Sequence, residues 1–92
     1  EKMELSMFLE TDQEKAKKEL DYYGYLLSNA IENMLNGEFS KAAIYHENIA
    51  NSLRELQRMK NTKRTHDEAW LLLKQIEGKR QQEELLEKLI RG

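Results

Sequence analysis

The sequence predicts an all-α domain, an antiparallel three-helix bundle with a long third helix, and three observations predict it. Composition is the first. The 92 residues contain no proline and no valine, only five Ile and three Thr are β-branched, and Leu, Glu, Lys, Gln and Ala abound. These are helix formers, and the residues that favour strands are scarce. Second, apolar residues recur three and four apart in three separate stretches, the spacing that lines one face of a helix. Third, helix start and stop signals punctuate those stretches. A chain of this length suffices for one small domain and not for two, so residues 1–92 are read as a single helical unit.

Residues 1–10 precede the first start signal. Within them Met3-Glu4-Leu5-Ser6-Met7-Phe8-Leu9 is apolar enough to dock as a short extra helix over the open end of the bundle. Thr11-Asp12-Gln13-Glu14 then reads as a capping box, in which a hydroxyl and a Glu three residues later satisfy each other's orphan amides. The first helix is expected over 12–36, with Gly37 after Asn36 supplying the left-handed residue that a C-terminal cap needs. A second helix is expected over 41–60, with Ser40 as N-cap and Phe39 stapled onto Ile44. Arg58 and Lys60 lie in its last turn, where cations suit the dipole. A second capping box, Thr65-His66-Asp67-Glu68, opens a third helix over 66–90. Loops this short make successive helices antiparallel neighbours.

The apolar stripes supply the expected core. They are Ala16, Leu20, Tyr23, Leu27, Ala30, Ile31 and Met34 on the first helix, and Ala42, Tyr45, His46, Ile49, Leu53, Leu56 and Met59 on the second. The third starts with Ala69, Leu72, Leu73 and Ile76, has no apolar side chain from Glu77 to Glu84, and resumes at Leu85, Leu86, Leu89 and Ile90. Gly78 lies in the polar stretch. One glycine costs a helix only about 1 kcal/mol relative to alanine, so the helix is expected to run through it as a solvated rod. Of Tyr22, Tyr23 and Tyr25, only Tyr23 is expected to face inward.

Several chemistries are excluded by residue type. The absence of cysteine removes disulfide scaffolds, thiolate metal sites and thiol catalysis. His46 has Ala50 rather than a second ligand four residues on, and His66 sits among carboxylates that a capping role explains. The four scattered glycines form no phosphate loop, and the serines have no His and Asp arranged as a triad. The expectation is a non-enzyme with no metal and no cofactor. No apolar run approaches a membrane span, the longest being the five residues Ala69–Leu73. The amino end alternates charge with apolar residues, unlike a secretory leader, so the expected location is cytoplasmic.

Charge is unevenly distributed about a net of −2. Residues 21–40 hold no basic side chain, whereas Arg54, Arg58, Lys60, Lys63 and Arg64 cluster near the end of the second expected helix. Five cations so close together are a candidate anion or nucleic-acid contact, although the acidic total supplies no global field to recruit nucleic acid.

Ala69-Trp70-Leu71-Leu72-Leu73 is the most informative run. Five consecutive apolar residues sweep roughly 400° of a helix, and a three-helix bundle buries only one stripe of each helix. The surplus must face residues 3–9, a second copy or a partner. The candidate partner-binding residues are Trp70, Leu71, Leu73, Ile76, Leu85 and Leu89.

Between Asn36 and Leu56, the spacing of Gly37, Phe39, Ala42, His46, Ala50 and Leu53 resembles the turn and second helix of microtubule-interacting-and-trafficking (MIT) domains. The Lys-, Arg-, Gln- and Glu-rich third stretch is similar to autophagy-linked members of that family. The resemblance implies a three-helix bundle over about Glu14 to Ile90, with a groove beside the third helix that receives a partner peptide. Trp70, Leu73 and Ile76 would line it.

Two functions are therefore expected of this sequence. One is a helical protein-interaction or adaptor module that binds a partner helix or itself, as a homodimer, through the third helix. The alternative is a small nucleic-acid-associated regulator of bacterial or phage type that uses the basic cluster.

Overall fold

The computed structural model describes residues 4–91. Met3 of the expected docking segment lies outside that range. Among the described residues there are two 3₁₀ turns, Leu5–Met7 and Glu10–Asp12, followed by helices α1 (Gln13–Leu35) and α2 (Phe39–Arg91), and no strand. The all-α class is as the composition predicts. The third helix is not a separate element: one helix of 53 residues occupies the place of two.

The turn between α1 and α2 is read directly from its backbone. Gly37 has φ of 75°, Gly37 N–H donates to Met34 C=O at 3.1 Å, and Glu38 N–H donates to Asn33 C=O at 2.8 Å. This pair of bonds is the Schellman closure, which satisfies carbonyls that the end of α1 leaves open. The chain reverses within three residues, and the next ladder begins at once with Ala42 N–H to Glu38 C=O at 3.0 Å. Helix α2 thus starts at Phe39, ahead of Ser40, which lies inside the helix rather than capping it. Phe39 and Ile44 are both exposed, so the expected staple buries neither.

Helix α1 begins where the sequence places it, but by another route. Its cap residue Asp12 has helical φ and ψ and no side-chain capping bond. Thr11 is already held in the Glu10–Asp12 turn, where Asp12 N–H reaches Leu9 C=O at 2.8 Å. A capping box needs an extended residue at the cap, and the turn removes it.

The two helices pack antiparallel in two small clusters. Leu26, Ala30 and Ile49 are buried together, flanked by Tyr23, Leu27 and Tyr45. Further from the turn, Ala16 and Met59 bury Phe8, with Leu5, Met7 and Leu56 around them. The segment 5–8 therefore docks as expected, though as a 3₁₀ turn, and it covers Ala16 and Met59 rather than the Trp70 face. Ser52 is buried between the clusters, its hydroxyl donating to Glu19 C=O at 3.4 Å. Several expected core residues are instead exposed: Ile31, Met34 and Leu53 keep about half their surface, and His46 faces outward.

The expected break at 61–65 does not form, for a local reason. Nothing between Asn61 and Thr65 is a strong breaker, and the side chains of residues 61 to 64 find partners along the helix. Gln57 Nε2 donates to Asn61 Oδ1 at 2.9 Å, and Thr62 Oγ1 donates to Arg58 C=O at 3.0 Å. Lys63 reaches Asp67 at 2.5 Å, and Arg64 lies 4.0 Å from Glu68. Bonds at i to i+4 support continuation, so Thr65 sits mid-helix and the capping box is not used. Helix continuity through Gly78 is as expected.

Helix α1, at about 34 Å, is less than half the length of α2, at about 80 Å. The molecule measures 83 × 21 × 19 Å with a radius of gyration of 23.1 Å. A compact chain of this length would have about 12 Å. The architecture is an antiparallel hairpin from which the distal half of α2 projects.

Candidate interaction surface

From Glu68 to Arg91 every described residue is exposed. This stretch carries Trp70, Leu71, Leu72, Leu73, Ile76, Leu85, Leu86, Leu89 and Ile90, whose exposure runs from 47% for Ile76 to 83% for Ile90. All six candidate partner-binding residues of the sequence lie here: Trp70, Leu71, Leu73, Ile76, Leu85 and Leu89. Ala69, Leu72, Leu73 and Ile76, expected in a bundle core, have no hairpin surface against them. The reason is the unbroken helix at 61–65, which carries them away from α1 instead of back along it. Leu72, Leu86 and Ile90 thereby join the surface. Trp70 makes one polar contact, with Lys74 Nζ 5.1 Å from the ring centroid, the cation–π geometry of residues one turn apart.

An exposed apolar surface of this extent is unusual on a monomer. Charged side chains separate its two ends: Lys79, Arg80, Glu83 and Glu84 occupy the stretch between Ile76 and Leu85. The surface can bury leucine and isoleucine against another helix while presenting both signs of charge at its middle.

The basic cluster is differently placed. Arg54, Arg58, Lys60, Lys63 and Arg64 lie along α2, with Arg58, Lys60 and Lys63 beside the docked segment, and three of the five already face carboxylates. Arg58 holds Glu55 in a two-pronged contact at 2.6 and 3.1 Å. Its hydrogen bond holds the Glu55 carboxyl below the usual range and raises the guanidinium in return. Lys63 bonds Asp67, lowering that carboxyl, with a smaller contribution from His66, whose Nδ1 is 3.5 Å from Asp67. Arg64 faces Glu68. Arg54 donates to Asn51 Oδ1 at 3.0 Å, and Lys60 borders a shallow groove with Met7, Phe8 and Leu53. The cluster is thus largely satisfied within its own helix.

Elsewhere, Tyr22 and Tyr25 stack on the outside of α1 with centroids 6.3 Å apart, and Tyr23 turns inward, as the helical phase predicts. Among the described residues no three His, Asp or Glu side chains gather as a metal site, and no helix is long and apolar enough to cross a membrane.

Sequence reasoning missed Leu26 and Ser52 as buried residues. A strict alternation of three and four would have found both: 16, 19, 23, 26, 30 on α1 and 42, 45, 49, 52, 56, 59 on α2. Leu27 and Leu53 sit one position off those seams: Leu53 is larger and more apolar than Ser52, whereas Leu26 and Leu27 are the same residue type and only the spacing tells them apart. No known protein family, curated protein or solved structure matches the chain.

Proposed function

We propose that this chain is a non-enzymatic helical interaction module, in which a short antiparallel hairpin anchors a projecting helix whose distal half binds another helix. The observation that carries this reading is the continuous exposure of nine large apolar side chains between Trp70 and Ile90 on one rigid element. At roughly 25 cal/mol per Å² of apolar surface removed from water, such a stretch favours association strongly. A bound helix would also stabilise a segment that has no tertiary contacts of its own, since most helical stability in proteins comes from packing.

The nucleic-acid alternative has less support, because three of the five clustered cations are engaged by neighbouring carboxylates. The peptide groove implied by the MIT resemblance requires distal α2 to fold back beside the hairpin as a third bundle helix. Thermal unfolding of the Ile76→Glu variant, in a dilution range where light scattering gives a mass near 10.9 kDa, separates these arrangements. With a projecting helix, the hairpin unfolds at the wild-type temperature, because Ile76 touches none of it. A marked fall in unfolding temperature would place Ile76 in the chain's own core and overturn the module reading in favour of the folded-back bundle. Trp70→Ala is expected to behave in the same way as Ile76→Glu.

A further inference from the structure

We infer that the occupant of distal α2 is the same segment of a second copy, running antiparallel in a register centred on residue 81. This deepens the interaction-module reading and rests on it. Because α2 is continuous, Leu72, Ile76, Lys79, Glu83, Leu86 and Ile90 alternate steps of four and three and form one seam, with every member exposed. A seam with this alternation is what two-stranded helical pairing uses. Leu72 and Ile76 each lie one residue before a position continuing the α1-facing alternation (73 and 77), which rotates this seam by about 100° from the one that faces α1.

Charge selects the orientation. Side by side in parallel, Lys79 would oppose Lys79 and Glu83 would oppose Glu83. In the antiparallel register centred on residue 81, Leu72 of one copy lies level with Ile90 of the other, Ile76 with Leu86, and Lys79 with Glu83. Symmetry repeats each match, giving four aliphatic pairs around two reciprocal ion pairs. Slipping by seven residues in one direction sets Leu72 against Glu83 and Ile76 against Lys79. Slipping in the other direction sets Lys79 against Ile90 and Glu83 against Leu86. Both slips strand charges among aliphatic side chains, so the central Lys and Glu specify the register at some expense in affinity, a recurrent role for polar seam residues. The paired stretch spans 71–91 in each copy, and the two hairpins fall at opposite ends. Such a pair would be about 125 Å long, against 83 Å for one chain.

Sedimentation equilibrium on the full chain tests this. Wild type is expected to dimerise, and Lys79→Glu and Glu83→Lys are each expected to weaken the dimer at least about tenfold by opposing like charges. The double exchange, Lys79→Glu with Glu83→Lys, restores it, and Lys88→Glu, off the seam, leaves it unchanged. The chain has no cysteine, so orientation can be read by oxidising a mixture of Ile76→Cys and Leu86→Cys single variants. Antiparallel pairing yields the mixed 76–86 disulfide, and parallel pairing yields 76–76 and 86–86. A dimer indifferent to the charge reversals, or one yielding only the like disulfides, would overturn the register while leaving the module reading in place. A wild-type monomer at all concentrations would overturn the inference outright. The Ile76→Glu unfolding temperature would then show whether the module reading falls with it.

Discussion

Gly37 and Leu26 do more for the hairpin than their neighbours, and for different reasons. Gly37 occupies the left-handed region at φ 75° with open space around its Cα, so Gly37→Ala meets no clash but incurs the backbone penalty of about 1–2 kcal/mol. Chemical denaturation should register that loss with the helix content of the native state unchanged. Leu26 is fully buried against Ala30 and Ile49, and Leu26→Ala is expected to destabilise the hairpin by about 2–3 kcal/mol, the low end for core truncations because a two-helix core closes more easily than a thick one. Leu27→Ala, one position away and only partly buried, should cost clearly less in the same measurement. Asp67 offers a pH-dependent reading. Its carboxyl is held below the ordinary value mainly by Lys63, so the folded state binds this proton less readily than the unfolded state. The associated stabilisation is therefore present above the ordinary carboxylate range, and it is lost as pH falls through the lowered folded value. A carboxylate titration followed by nuclear magnetic resonance should show Asp67 moving upward in Lys63→Met; no movement would remove the pair from the account of helix continuity. At this scale the seams were legible but their members were not all named. Ser52 carries little hydropathy and Leu26 stands next to the equally apolar Leu27, yet both are buried where the helices meet, and a small, satisfied side chain is what allows two helices to approach.

At the scale of elements, α1 and the turn follow from local signals, and α2 does not. A capping box is a local preference worth about 1 kcal/mol, whereas the run from Gln57 to Glu68 offers several side-chain partners along one uninterrupted ladder. Thr65→Ala therefore leaves helix content and hairpin stability within about 0.5 kcal/mol of wild type. A loss near 1 kcal/mol would show that Thr65 caps a separate third helix. Gly78→Ala adds a Cβ in open space and should increase the helicity of the distal segment, by up to about 1 kcal/mol of helix propensity. Circular dichroism of the two variants against wild type decides both points. Amide hydrogen exchange gives the complementary view. In dilute solution the amides of 68–91, lacking tertiary contacts, should exchange far faster than those of 45–59, which α1 covers. Raising the concentration should slow exchange in the distal segment if it pairs. Slow exchange there in a demonstrated monomer would instead mean that it packs on its own hairpin.

For the whole molecule, shape is the property that connects fold to function. A radius of gyration of 23.1 Å in a chain of this size means that the buried core is confined to the hairpin and that much of the apolar surface is held outside it. Small-angle scattering of the dilute chain should return a value near this one, whereas a folded-back three-helix bundle would approach the roughly 12 Å of a compact chain. The sequence by itself determined that the fold is all-α, that Gly37 reverses the chain, that the amino-terminal segment is apolar enough to dock, and that the stretch from Ala69 to Leu73 has more apolar surface than one bundle position can bury. Those properties depend on residue type, spacing and the geometry of a single helix, all of which are local. Only the tertiary structure decided whether the chain turns again near residue 63, and with it which apolar stripe becomes core and which remains surface. The start signal at Thr65 and the bonding partners from Gln57 to Glu68 compete over the same few residues for similar free energies. Sequence spacing supports either outcome, and the balance rests on how the side chains of one particular helix meet.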